Sequence, residues 1–275
     1  MQKNSMMKYK SKSLLFWILS IIFMLTVAIY QRTTGPSYSL RGKTNIEGQA
    51  IKYKLLRTYD GEDDAKIEIK ITDTSVNGIF KYKRFKSFDD WTEKIMIREG
   101  ENLVAFIPHQ PPAGKVMYEI SINKNGKIYK LTDKPVIIRF KGHVPLYILL
   151  PHIFFMFIAM VFSIRTGLEV IIKGENAYNY TLITTICLFI GGLILGPIVQ
   201  KLAFNDYWTG WPWGHDLTDN KTIVVFIFWL IALFRLIKNK EKRSWALVAS
   251  IVLLVIYLIP HSVLGSEIDY TQVVE

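Results

Sequence analysis

Residues 144–164 read VPLYILLPHIFFMFIAMVFSI, without one Lys, Arg, Asp or Glu. A run of that length is too long for a core strand and, as a helix, long enough to cross the hydrocarbon layer of a bilayer. It recurs. Residues 14–30, 180–200 and 244–265 are likewise free of fixed charge, and 222–237 carries only Arg235. In lipid every main-chain N–H and C=O must find a partner within the spanning element, so such blocks must be helices. The chain therefore reads as a multi-pass helical membrane protein with five spans.

The remaining charge fits that setting. Half of the 275 residues are hydrophobic, and the net charge is +11. In a membrane chain this excess of Lys and Arg points to cytoplasmic loops and anionic headgroups, with no nucleic acid partner. The single cysteine, Cys187, lies inside an apolar run, which excludes an internal disulfide framework and a cysteine zinc site.

Residues 1–12 hold four lysines and no acid, and no small-residue cleavage site follows the first apolar block. That block predicts an uncleaved anchor with a cytoplasmic N-terminus. The β-rich region then falls in the periplasm, the Arg165 loop (165–178) inside, the 201–221 loop outside, the KNKEKR loop (238–243) inside and the acidic tail outside. Both short inner loops are net basic, as the positive-inside rule requires.

Residues 31–143 differ in character. Ile67, Ile69 and Ile71 alternate with Glu68 and Lys70; Tyr118, Ile120 and Ile122, and Val136, Ile138 and Phe140, do the same. A period of two marks half-buried strands. Breakers stand at Asp60-Gly61, Asn77-Gly78, Glu99-Gly100, Pro111-Pro112 and Asn125-Gly126, the last a hairpin turn. Seven or eight short strands predict an antiparallel β-sandwich, immunoglobulin-like in architecture but without the Cys–Trp–Cys pattern. Trp91 is the expected large core residue. The expected class is thus an α+β membrane protein: 1–30 as cytoplasmic N-terminus and anchor, 31–143 as periplasmic β-sandwich, 144–265 as four-helix transmembrane bundle, and 266–275 as periplasmic tail.

The 201–221 loop, KLAFNDYWTGWPWGHDLTDNK, is the candidate site. It gathers Tyr207, Trp208, Trp211, Trp213, His215, Asp216 and Asp219, where a simple turn would be short and rich in Gly or Ser. All five histidines fall on the outer side: His109, His143, His152, His215 and His261. His152, about 10 Å below its helix end at 1.5 Å per residue, and His261 lie at similar depth on different helices. Ionisable groups within a membrane are by default functional. His152, His215 and His261 can therefore ligate zinc or copper, or His152 and His261 can hold a b-type haem, with Trp208 and Trp211 beside the cofactor. Asp216 and Asp219, with Glu267, can serve as general base or orient a ligating histidine. The bland alternatives are an interfacial aromatic belt, a helix cap at Asp216 or Asp219, and packing for Met156 and Met160. Gly192-x-x-x-Gly196 predicts a close helix contact.

The run YWTGWPWGHDLTDNKT (207–222) resembles a motif in a family of uncharacterised bacterial integral membrane proteins. QPPAGK (110–115), PHIFFMF (151–157), RTGLE (165–169), GGLILGPIVQK (191–201) and IPHSVLGSEIDYT (259–271) resemble the same family. The resemblance implies a bacterial inner membrane protein with a periplasmic domain and brings no assigned activity. Two functions are expected from different classes. One is a metal or haem site at the periplasmic face serving redox or hydrolytic chemistry. The other is a non-enzymatic envelope scaffold or assembly factor whose β-domain binds another protein.

Overall fold

The structure is a computed structural model that describes residues 2–260 and 265–272, with side chains from Ser13 onward. The chain divides into two units. One is helical: residues 2–35, Val144–Lys201 and 206–260. The other is the β-unit, Pro36–His143, joined by Leu202–Asn205 and residues 266–272. The tail is therefore part of the β-unit instead of a separate segment.

In the β-unit, strands β1 (Leu40–Ile46) and β2 (Gln49–Leu55) form a hairpin. A six-stranded sheet runs in the order β3 (Thr58–Tyr59), β11 (Val136–Phe140), β9 (Lys115–Lys124), β5 (Asn77–Arg84), β6 (Thr92–Ile95), with β10 (Lys127–Lys130) paired to β9. A three-stranded sheet runs β4 (Ala65–Lys70), β8 (Asn102–Ile107), β7 (Ile97–Glu99). The described residues hold eleven strands where seven or eight were expected. One pair, β3 with β11, is parallel, against the expected antiparallel pattern.

The period of two is realised as read. Ala65, Ile67 and Ile69 of β4 are buried while Lys66, Glu68 and Lys70 between them are exposed. Val116, Tyr118, Ile120 and Ile122 of β9 point inward with Val136, Ile138 and Phe140 of β11, and Phe80 completes one core. Burial is worth about 1.5–3 kcal/mol for each such Ile or Phe. Asn125 and Gly126 both have positive φ (52° and 79°), the requirement of a type I′ turn between β9 and β10.

Two expectations fail for identifiable reasons. Trp91 is 39% exposed, lies before β6 and stacks under Lys83 instead of entering the core. Asn77-Gly78 does not break the chain but opens β5. A side chain at Gly78 would meet Met96 Sδ at 2.6 Å, so the glycine admits a close neighbour.

The helical unit contains α1 (Gln2–Thr34), α2 (Leu146–Ile171), α3 (Ala177–Leu188), a π-helical segment (Phe189–Leu195), α4 (Gly196–Phe204), α5 (Leu217–Lys238) and α6 (Ser244–Leu258). Four helical stretches are long and apolar enough to cross a membrane: Ser13–Thr34, Leu146–Ile171, Ala177–Phe204 and Leu217–Lys238. Helix α6 is shorter, at 15 residues.

Helix α1 is more than an anchor. Ser20, Met24, Val27 and Gln31 form a buried stripe at helical spacing, and Met24 and Val27 share a core with α2, α3, α5 and α6. Its remaining surface exposes Leu14, Ile18, Ile22, Phe23 and Ile29. The close approach expected at Gly192 and Gly196 is instead made by Gly191 and Gly192. A Cβ there would lie 2.9 Å from Phe155 Cβ and 2.8 Å from Thr222 Cγ2 respectively, whereas at Gly196 it would meet nothing nearer than 3.5 Å.

Candidate functional site

The residues proposed for chemistry in the 201–221 loop turn out to hold the loop together. Asp216 caps α5, its Oδ1 accepting from Thr218 N at 2.7 Å. Asp219, one turn on, accepts from Thr209 N at 2.7 Å and from Gln200 Nε2 at 3.0 Å. Asn220 Oδ1 accepts from Trp211 N at 2.7 Å, and Trp208 Nε1 donates to Trp211 O at 3.0 Å. Gly210 is buried in this knot. A Cβ there would sit 2.5 Å from Asp219 Cβ, so only glycine fits. Both carboxylates are buried and accept from main-chain donors, so each has a structural role in the loop. Of the capping and catalytic readings, capping is the one realised. Tyr207, Trp211, Trp213 and His215 are exposed instead of lining a cavity.

His152 sits on α2 and its Nδ1 lies 2.9 Å from Gly191 O in the π-helical segment. A carbonyl only accepts, so Nδ1 carries the proton and Nε2 of the neutral ring is left as an acceptor. That orientation is the one carbonyl-tethered metal-binding histidines adopt. Among the described residues no three His, Cys, Asp or Glu side chains are grouped to hold a metal ion. His261 lies outside the described residues, and His215 is exposed on the loop. A cavity of about 40 Å³ near α2 and α5, lined by Met156, Met160, Leu188, Thr222 and Tyr257, has Lys221 at its polar end. At 10–15 Å³ for each water it takes about three waters, far less than a porphyrin. Zinc, copper and b-type haem are therefore not accommodated by the described residues, and Met156 and Met160 serve as packing.

Three polar groups in the helical unit escaped the sequence reading. Lys221 is buried, and its Nζ donates to Ile259 O at 2.9 Å and Pro260 O at 3.1 Å, closing the end of α6. Gln31 of α1 donates to Tyr257 O and to Ile259 O at the same end. The third is an ion pair. Arg165 Nη1 lies 2.5 Å from Glu169 Oε2, and both side chains are fully buried. Residues 165–171, expected in a polar loop, are the last turns of α2. Arg165 faces the rings of Phe16, Trp17 and Tyr180 at 5.7, 5.6 and 5.0 Å. Its Nη2 donates to Ser13 Oγ at 3.3 Å, and Glu169 Oε1 accepts from Asn176 N at 3.1 Å. The pair thus ties α1, α2 and the start of α3. The i,i+4 spacing of Arg165 and Glu169 was the available signal.

In the β-unit, Glu267 is no free base either. Burial raises its carboxyl, but Lys115 and then Lys86 more than reverse this and hold it below the usual range.

Comparison of the chain with known protein families, characterised proteins and solved structures returns no match.

Proposed function

We propose that the chain is a non-enzymatic, multi-pass protein of the bacterial inner membrane whose periplasmic β-domain docks another envelope protein. The observation that carries this reading is a pair of strand edges on which two isoleucines stand exposed among Glu93, Lys94 and Glu99. β6 ends the six-stranded sheet and β7 ends the three-stranded sheet, and only Met96 separates them in sequence. Along this double edge Ile95 and Ile97 are 75% and 58% exposed, with Phe88 exposed nearby. Unpaired N–H and C=O groups on such an edge invite a further strand, and the charges flanking the isoleucines disfavour unselective pairing. Strand addition by a partner would satisfy that edge. The apolar outer surface of α1 and the basic 238–243 loop support five spans with a cytoplasmic N-terminus, as does the resemblance of the 207–222 run.

The test is a photocrosslinking residue at Ile97 in living cells. A discrete protein adduct is expected, lost when Ile95→Lys is added in a protein that still inserts and folds. Absence of any protein adduct at position 97 defeats the reading.

A second reading keeps His152 as a metal ligand beside His261, favoured by the tether of Nδ1 to Gly191 O. Elemental analysis of purified protein tests it. Stoichiometric zinc or copper, lost in His152→Ala and His261→Ala, would establish it; metal-free native protein would end it.

A further inference from the structure

A second surface of the β-unit, separate from the β6–β7 edge, is built around positive charge. Arg84 closes β5, Lys115 opens β9 and Arg139 lies on β11. These are neighbouring strands: Arg84 pairs with Val116, and Lys115 with Arg139. Lys86 follows two residues after Arg84. Four cations thus cluster at one end of a single sheet, an arrangement that costs stability unless an anion answers it. Asp89 answers Arg84, with Oδ2 2.9 Å from Nε.

Residues 266–272 answer the others. Glu267 Oε1 lies 2.5 Å from Lys86 Nζ, and Oε2 pairs with Lys115. Arg139 donates to Ser266 O, and Ile268 N donates to Ala113 O at 3.3 Å. Tyr270 donates to Gln110 Oε1 at 3.0 Å and lies 4.7 Å beneath the Arg84 guanidinium. The Gln110–Gly114 turn is shaped for this. A Cβ on Gly114 would come within 2.7 Å of the Tyr270 hydroxyl, so only glycine lets that ring approach.

The receptor is built without its occupant. Ala113 N donates to Phe140 O at 3.0 Å, Gly114 N to Pro111 O at 2.8 Å and Phe85 N to Lys115 O at 2.8 Å, all within 85–140. The occupant, by contrast, has no strand or helix of its own and is held mainly through side chains, several of them partly exposed. A preformed groove with an irregular, charge-held segment in it is the arrangement of a receptor and a ligand.

We propose that this groove is a binding site for an extended acidic peptide bearing a tyrosine. Residues 266–272 occupy it in cis, and an acidic segment of a partner protein takes their place. The site gates docking by competition: the partner gains the groove only by outcompeting the resident segment.

Fluorescence anisotropy on the full chain in detergent tests this, with a labelled SEIDYTQ peptide as probe. Native protein should bind it weakly. Glu267→Gln with Tyr270→Ala, which loosens the resident segment and leaves the groove intact, should bind at least tenfold tighter. Adding Lys86→Glu and Lys115→Glu should abolish the gain, and a scrambled peptide of equal charge should bind at least tenfold more weakly. Glu267→Gln alone, the milder variant, should show an intermediate gain. A loosened variant that keeps its β circular dichroism and thermal transition yet binds no better than native protein would overturn the proposal. So would equal affinity for the scrambled peptide, or binding that survives the charge reversals. Because the β6–β7 edge is untouched in every variant, failure here leaves the crosslinking result at Ile97 to stand or fall separately.

Discussion

Replacing Arg165 with Met would leave Glu169 without its counter-charge at a site with no solvent access. Methionine preserves most of the volume, so the effect is electrostatic first. Removing one partner of a buried ion pair costs about 3–5 kcal/mol, because the survivor keeps its desolvation penalty and loses its counter-charge. The three ring contacts of the guanidinium would also be lost, about 0.5–2 kcal/mol for each that is desolvated. The bond from Asn176 N to Glu169 Oε1 remains and offsets part of this. We therefore expect Arg165→Met to lower unfolding free energy by roughly 4 kcal/mol. Glu169→Leu should cost a similar amount. The double variant Arg165→Met/Glu169→Leu should cost less than either single change, since an apolar pair of similar volume replaces a buried ionic one. The assay is reversible unfolding in mixed micelles, followed by far-ultraviolet circular dichroism for all four proteins of the cycle. The difference should persist in 0.5 M salt, because buried charges are poorly screened. If each single change costs less than about 1 kcal/mol and the two add, the pair behaves as a hydrated surface bridge. The argument from burial would then be wrong.

Other outcomes follow from single contacts. Asp219→Ala should free the main chain of Thr209 and expose residues 205–216 to protease, at a cost of about 1.5–3 kcal/mol for bonds to a charged acceptor; limited proteolysis against Asp219→Asn, which keeps an acceptor, measures it. Phe80→Ala, at a fully buried site between Tyr82 and Tyr118, should cost about 3–5 kcal/mol and lower the thermal transition of the β-unit. The hold on residues 266–272 should depend on pH from both sides. Glu267 is held below the ordinary glutamate value of 4.5, so its contribution is present above that value and is lost as pH falls through the depressed pKa. Lys86 is raised above 10.5 by its bond to Glu267, so its contribution is complete below 10.5 and is lost as pH climbs past the raised value. The protection of the Ile268 amide, its exchange rate compared with the intrinsic rate at the same pH, should be highest between those limits and fall as pH drops through the depressed Glu267 value.

The elements that the sequence revealed were those whose periodicity is local. The alternation in 65–71, 115–124 and 136–140 became strands with the inward faces expected, and the uncharged runs became helices. What stayed hidden depends on contacts between distant residues. Arg165 and Glu169 looked like loop residues because the charge that ends an apolar run usually meets water. Here Phe16, Trp17 and Tyr180, remote in sequence from Arg165, enclose it. Asp216 and Asp219 invited a catalytic reading because their residue type is shared by bases and caps, and the bonds they accept from the Thr218 and Thr209 amides depend on the folded loop. Glu267 invited the same reading; its lysine partners stand far off in sequence, at positions 86 and 115.

The buried stripe of α1 has a consequence for how the molecule is made. Gln31 finds its acceptors at Tyr257 and Ile259, 226 and 228 residues further along the chain. Ser13 waits for Arg165, 152 residues away. At synthesis rates of 5–20 residues per second, α1 spends roughly 10–45 s with those polar groups unmatched. In that interval strands β1 to β11 emerge, since they are encoded between α1 and α2. The first helix is therefore the last to be fully seated, and Gln31 gains these acceptors only once α6 has been made.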